Sequence, residues 1–310
     1  YLYNKKTTLR LLTGYKIMSL ETVAILSPGD MGHAVGRVLV EHGLRVITYL
    51  RGRSQRTKVL AENAGILDVS TLQTLVNEAD IILSILVPSQ ATNVAEMVSE
   101  AIKKTNATVL YADCNAISPK TTCRISEIIT NAGSNYLDSS IIGPPPRTKG
   151  STRFYVSGPG LDLFSNLNQF GLDIRPLGDK IGKASAIKMC YAALTKGLSA
   201  LCIELLTASK LLEVSESLAS EFQLSQPSLY KRMERTIPGL PSKSKRWVGE
   251  MKEIAATFAE IGLTPKILDG AADMFQFVGD TRLADLQPED QGSFPVMEDI
   301  ITIFSEYLDT

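Results

Sequence analysis

The 310-residue sequence predicts an α/β domain with a parallel sheet followed by an all-α domain. Three observations carry that expectation. Short apolar runs alternate with helically spaced segments up to about residue 180. Beyond that point strand signals almost vanish. A turn with two glycines, "SPGDMG", joins the first apolar run to the first helical segment.

Residues 1–18 stand apart: Lys5, Lys6, Arg10 and Lys16 occur there without an acid. The segment reads as an extension outside the fold, with an amphipathic import peptide as the alternative. In the following domain, residues 19–180, "TVAIL" is a continuous apolar run, as expected of a strand buried on both faces. "GHAVGRVLVEHG" places Val35, Val38 and Leu39 on one helical side, with Gly43 ending the helix. "RVITYL" is the second strand. "ADIILSILV" and "ATVLYADC" follow, separated by the helical "SQATNVAEMVSEAIKKT", and then "NYLDSSII" and "TRFYVSG". Alternation of this kind predicts right-handed parallel βαβ units. Residues 181–310 contain the long helical stretch around "GKASAIKMCYAALTKGLSALCIELLTASKLL", a second at "SKRWVGEMKEIAATFAEIG" and a third at "VMEDIITIFSEYL".

Composition narrows the chemistry. Hydrophobic residues make up 44%, so a sizeable core can form, and the net charge of −1 favours neither nucleic acid nor a membrane surface. No uninterrupted apolar run reaches the roughly 20 residues that span a bilayer. His33 and His42 are the two histidines, and the four cysteines include no CxxC pair, so a soft-ligand metal cluster is not expected. Few, widely spaced cysteines suggest a reducing, cytoplasmic setting.

In a dinucleotide-binding turn one glycine permits the tight bend, a second admits the pyrophosphate, and a third lets helix and strand pack. Here Ser27 takes the first place, and Gly29 and Gly32 hold the others, with Asp30 and Met31 between them. Strand before and helix after raise this weak pattern to a candidate cofactor site, with free helix N–H groups facing the pyrophosphate. An NAD enzyme would carry an acid at the end of the second strand. This chain has Arg51, Arg53 and Ser54, with no acid until Glu62. Those residues suit the 2′-phosphate of NADP, so NADPH is expected to be preferred over NADH.

With these motifs the chain resembles the β-hydroxyacid dehydrogenase and 6-phosphogluconate dehydrogenase superfamily from residue 19 to the end. "GDMG" is similar to its "GLGxMG" turn and "LSILVP" to its fourth-strand end, where Val87 and Pro88 would border the nicotinamide. "YADCNAISPKTT" is similar to "VDxSTxSPxT", "YLDSSIIGPPP" to "FLDAPVSGG", and "GKASAIKMCYAALTKG" to "GxGxxxKxxNN". "KRWVGEMKEIAATFAEIGL" looks like a branch of NAD(P)-dependent oxidoreductases whose helical domain is of unknown function. The resemblance implies a Rossmann-type fold with a 6-phosphogluconate-dehydrogenase-like helical domain, a small-molecule alcohol or carbonyl substrate, and Lys188 as the acid–base residue. It implies substrate contacts at Asn115 and Gly143, and a place for Tyr191 where the family carries asparagine. From the helical domain Arg246, Trp247 and Glu250 are candidates to face the cleft, Trp247 equally a core residue. Ile142 and Pro144 replace the serine and last glycine of "SGG", which puts the usual small hydroxyacids in question. An imine reductase and a non-catalytic NADP sensor are the alternatives. Lys188 counts against the first, because imine reductases usually lack lysine there. The long apolar helix from Lys183 predicts a homodimer through the helical domain.

Overall fold

The computed structural model describes residues 20–286 and 295–308, so the proposed extension at 1–18 lies outside the described residues. The eight strands are β1 (Thr22–Leu26), β2 (Arg45–Thr48), β3 (Leu67–Asp68), β4 (Ile81–Ser84), β5 (Leu110–Asp113), β6 (Asn135–Ile142), β7 (Arg153–Ser157) and β8 (Ile174–Pro176). They form one sheet in the order β3-β2-β1-β4-β5-β6-β7-β8. β1 to β6 pair in parallel, whereas β7 runs antiparallel to β6. The parallel rhythm breaks at β7 because residues 143–152 supply a hairpin and no crossover helix.

The buried strands split their side chains between two cores. Val23 and Ile25 of β1 enter one, with Val35 and Leu39 of helix α1 (Asp30–Glu41). Ala24 and Leu26 enter the other, with Val94, Ala95 and Val98 of α4 (Ala91–Thr105) and Ile125 of α5 (Pro119–Thr130). Coverage of both faces explains why "TVAIL" is apolar throughout and shows no alternation. Helices α2 (Gln55–Asn63), α3 (Leu72–Glu78) and α6 (Leu161–Ser165) complete the layers. Two strands escaped the sequence reading. β3 is two exposed residues long, and β8 is a three-residue edge strand ending in Pro176.

Past β8 the chain is helical: α7 (Lys183–Leu211), α8 (Ser215–Ser225), α9 (Pro227–Thr236), α10 (Pro241–Glu260), α11 (Lys266–Asp280) and α12 (Met297–Leu308). α7 is long and apolar enough, by length and composition, to cross a membrane. In this fold it is the spine of the third core, to which it contributes Met189, Ala192, Ile203 and Leu206. Phe275 of α11 and Phe304 of α12 close that core.

Candidate functional site

The sheet order reverses direction between β1 and β4, and ligands of open α/β sheets bind outside the carboxyl ends of the strands at such a point. Both loops that flank it are candidate residues. After β1, Ser27 adopts φ 59°, the left-handed conformation for which glycine is usual, so the serine makes the bend that the missing glycine would make. The Gly29 N–H closes the turn on the Ser27 carbonyl at 2.7 Å. A Cβ on Gly32 would stand 3.0 Å from that carbonyl and 3.3 Å from Ile25 Cγ2, so this position keeps helix α1 close to β1. Gly36, where a Cβ would meet Ile66 Cδ1 at 2.5 Å, continues the contact one turn on. His33 is buried and its Nδ1 donates to the Gly29 carbonyl at 2.7 Å, so it braces the turn. After β4, Val87 is half exposed and Pro88 opens a 3-10 turn, Pro88–Gln90, that touches α10.

The rim beyond β2 is basic. Arg51 is exposed and Arg53 half-buried. Among the described residues neither has an ion-pair partner. Ser54 caps α2, accepting the Thr57 N–H at 3.2 Å. Two features of this rim were missed in the sequence. Arg56 reaches back from α2 to Asp30 at 2.5 Å, so the acid in the turn is neutralised by a cation from the next helix. Asp68, from neighbouring β3, accepts the Leu50 N–H at 2.9 Å and brings a carboxylate to the end of β2.

The turn and rim fit a dinucleotide. The turn leaves space above Gly29, where an added Cβ would meet only the Ser27 carbonyl, at 4.0 Å, and among the described residues Arg51 and Arg53 have no carboxylate partner.

Lys188 is set by an anchor in the sheet. Asp138 of β6 accepts the N–H groups of Gly182 and Ser185 at 2.9 and 3.1 Å, the Ser185 hydroxyl at 2.7 Å and the Ser157 hydroxyl at 3.0 Å. A carboxylate at the start of α7 also complements the helix dipole. Burial nonetheless raises the Asp138 pKa. Its register partner Asp113 is also buried and is pushed up to about 7 by burial, opposed by the Asn115 N–H and reinforced by Asp138. Fixed in this way, α7 delivers Lys188 to the end of β6, where Nζ donates to the Ile141 carbonyl at 2.6 Å. Burial lowers the Lys188 pKa to about 8, helped by the neighbouring cations Lys196 and Arg246 and opposed by Glu250.

Two turns along α7, Lys196 is buried in an ion pair with Glu250 of α10, and Arg246 reaches the same carboxylate at 3.3 Å. Trp247 packs edge-on against Phe275 with ring centroids 5.1 Å apart, and Lys196 Nζ lies 5.4 Å from the indole centroid. The tryptophan therefore serves the core and also walls a cavity.

The other candidate substrate residues are less free. Asn115 is buried. Its side-chain oxygen accepts the Leu86 N–H at 2.5 Å and its amide donates to Ser84 at 3.1 Å, so it ties the ends of β4 and β5 together. Gly143 has φ 127°, and a Cβ there would strike the Ser151 carbonyl at 2.2 Å, which accounts for the glycine by the closure of the β6–β7 hairpin. Tyr191 is half exposed, makes no hydrogen bond to Lys188 and does not line the Trp247 cavity.

Comparison with known proteins agrees with this layout. Residues 22–166 match the NAD-binding domain of 6-phosphogluconate dehydrogenase, and residues 210–278 match DUF1932, a domain of unknown function. A Methanothermus fervidus protein, described as an uncharacterized 28.5 kDa protein in the 7S RNA 5′ region, is 27% identical over 236 residues, 76% of this chain and 90% of that one. The solved structure of MTH1747, a conserved protein of unknown function reported to be similar to 3-hydroxyacid dehydrogenases, is 27% identical, covers 83% of this chain and 97% of its own, and has a TM-score of 0.62. The 3-hydroxyisobutyrate dehydrogenase of Mycobacterium tuberculosis, solved with L-serine, shares the fold at 18% identity and a TM-score of 0.65, covering 91% and 98% of the two chains.

Proposed function

From the premise that this chain belongs to the 6-phosphogluconate dehydrogenase-like superfamily, as an NAD-binding domain joined to a helical domain of unknown function, we propose that it is an NADPH-preferring oxidoreductase that interconverts an alcohol and a carbonyl. Residues 19–180 take the cofactor, and residues 181–310 take the small-molecule substrate. The observation that carries the reading is Lys188, a half-buried lysine whose Nζ donates to the Ile141 carbonyl and whose pKa burial lowers to about 8.

Reduction of a carbonyl needs hydride at carbon, which a nicotinamide supplies when bound, and a proton at oxygen, which Lys188 Nζ supplies. In oxidation the neutral amine takes that proton. The Ile141 carbonyl holds one N–H and leaves the remaining positions on Nζ for substrate. A pKa near 8 keeps both protonation states accessible at neutral pH, which an ordinary lysine cannot do. The sign follows. Reduction uses the ammonium, so its kcat falls as pH rises through about 8, whereas oxidation uses the amine and its kcat rises through the same window. Gly29, Gly32 and the start of α1 receive the pyrophosphate, Arg51, Arg53 and Ser54 the 2′-phosphate, and Val87 and Pro88 the nicotinamide edge. Asp68 is the competitor for a ribose hydroxyl, and it is the residue that would favour NADH. The resemblance counts against an imine substrate, because imine reductases usually lack a lysine at the position of Lys188.

The test combines cofactor titration with a lysine variant. NADPH should bind more tightly than NADH by fluorescence, and Lys188→Ala should leave NADPH affinity within a few-fold. Turnover on a carbonyl or hydroxyacid from a substrate panel should fall by roughly 10²–10⁴. Lys188→Arg should fail equally, since guanidinium keeps its proton. Undiminished turnover in Lys188→Ala would sink the acid–base assignment.

The same reading includes a homodimer. Leu194, Leu201 and Ile267 are 69%, 53% and 75% exposed around a cavity of about 510 Å³ between α7 and α11. A second copy would cover this apolar face. A monomer by light scattering at micromolar concentration would reject it. The four free cysteines fit the proposed cytoplasmic setting.

A further inference from the structure

Helix α5 begins with half of a cap. Ser118 is its N-cap residue and accepts the Thr121 N–H at 3.2 Å. In a complete capping box an acid or amide at the third helical position reaches back to the N–H of the cap residue. Thr121 holds that position here, so the Ser118 N–H needs another acceptor. It comes from the other domain. One carboxylate oxygen of Glu253, on α10, accepts the Ser118 N–H at 2.7 Å and the Thr121 hydroxyl at 3.2 Å. A negative charge at this place also suits the dipole at the start of α5.

The loop that this cap fixes carries Asn115. Between the two, Ala116 packs against the helical core and Ile117 is buried in the core of the sheet, so the loop is wedged between the layers. Asn115 in turn accepts the Leu86 N–H at 2.5 Å, and Leu86 leads directly into Val87 and Pro88. The 3-10 turn Pro88–Gln90 touches α10 itself. One helix therefore meets both loops at the carboxyl ends of β4 and β5. Three residues before Glu253, on the same side of α10, Glu250 holds Lys196 of α7.

We propose that Glu253 is a positioning residue. Through Ser118 and Asn115 it holds the loop after β4 in the shape that receives the nicotinamide end of the cofactor, so the helical domain sets the grip on that end alone. The nicotinamide part rests on the proposed cofactor reading, whereas the tie stands on the hydrogen bonds. Arg51, Arg53 and Ser54 follow β2, which lies on the opposite side of β1 from β4, so loss of Glu253 does not reach them.

The experiment titrates NADPH and adenosine 2′,5′-bisphosphate calorimetrically into the wild type, Glu253→Ala and Glu253→Gln. The bisphosphate carries the adenosine and the 2′-phosphate and lacks the nicotinamide. Glu253→Ala should weaken NADPH binding about tenfold and leave the bisphosphate within about twofold, which also shows that the variant is folded. Glu253→Gln keeps an acceptor for the Ser118 N–H and should stay within about threefold of the wild type for both ligands. Undiminished NADPH affinity in Glu253→Ala overturns the proposal. Equal weakening of the two ligands also overturns it, because Glu253 would then support the domain as a whole. So does a Glu253→Gln as damaging as Glu253→Ala, because the acceptor would not be what matters. Hydrogen exchange without ligand tests the tie separately: in Glu253→Ala the Leu86 amide should exchange at least about tenfold faster, and an unchanged rate overturns it. Failure of the wild type to bind NADPH would sink the cofactor reading and the nicotinamide part with it, while the exchange rate still decides the tie.

Discussion

The two ends of the cleft are built from different materials. At the proposed cofactor end the turn is made by backbone: Ser27 bends left-handed and Gly32 lets α1 lie against β1. At the proposed substrate end the contacts are made by side chains from two helices, with Lys188 and Lys196 on α7 and Arg246, Trp247 and Glu250 on α10. A backbone cradle tolerates changes of side-chain chemistry but not of size. A side-chain cluster tolerates changes of size but not of charge.

The strongest way to break that contrast is Glu250→Gln. It removes the carboxylate shared by Lys196 and Arg246 and leaves a buried ammonium without its partner. The expected loss is about 3–5 kcal/mol of stability, read from urea unfolding, and a shift under 1 kcal/mol would mean that the charge balance of the helical end does not matter. The next test is at the basic rim. Replacing Arg51 or Arg53 with Ala should remove charge-assisted bonds of about 1.5–3 kcal/mol, a loss of roughly 10–100-fold in NADPH affinity with NADH unaffected. Adding Asp68→Asn should lower NADH affinity if that carboxylate reaches the ribose.

Gly32→Ala probes the cradle by size alone. Its Cβ would press on the Ser27 carbonyl at 3.0 Å. Stability should fall by an overpacking cost of about 1–3 kcal/mol, offset in part by helix propensity of up to about 1 kcal/mol that alanine regains in α1, and NADPH affinity by fluorescence should weaken as the turn shifts. The smallest effect belongs to Ser27→Gly. A left-handed φ of 59° is strained for serine, so glycine should raise the unfolding midpoint by the equivalent of about 0.5–1 kcal/mol. An unchanged or lower midpoint would mean that the serine hydroxyl contributes more than its backbone costs.

The same contrast explains what the sequence made legible. The cradle is local: Ser27, Gly29 and Gly32 fall within six residues between a buried strand and a helix, so spacing alone marks them. The cap of α5 is local in the same way, because the Ser118 hydroxyl and the Thr121 N–H that it accepts are three residues apart. Lys188 could be singled out only through the resemblance, since a lysine among small residues also reads as a buried stem with its head in water. The charge cluster has no local signature. Glu250 approaches Lys196 only because α10 packs against α7, and Asp68 approaches Leu50 only through the pairing of β2 with β3. Asn115 and Gly143 were legible as positions, but their surroundings, a hydrogen bond from Asn115 to Ser84 of β4 and a hairpin neighbour of Gly143 at Ser151, come only with the fold.

The Asp138 anchor bears on how the molecule comes apart. A junction between two halves of a chain is commonly a loose tether that proteases find and that lets each half melt alone. Here the first turn of α7 is hydrogen-bonded into the middle of β6, through a carboxylate with four partners. A second tie is made by Glu253 of α10, which accepts the Ser118 N–H at 2.7 Å at the start of α5. Pulling α7 out of register would strip Asp138 of three of its four hydrogen bonds inside the sheet. The sheet and the helical layer are therefore thermodynamically coupled, and partial melting of one should drag the other with it in a single cooperative transition.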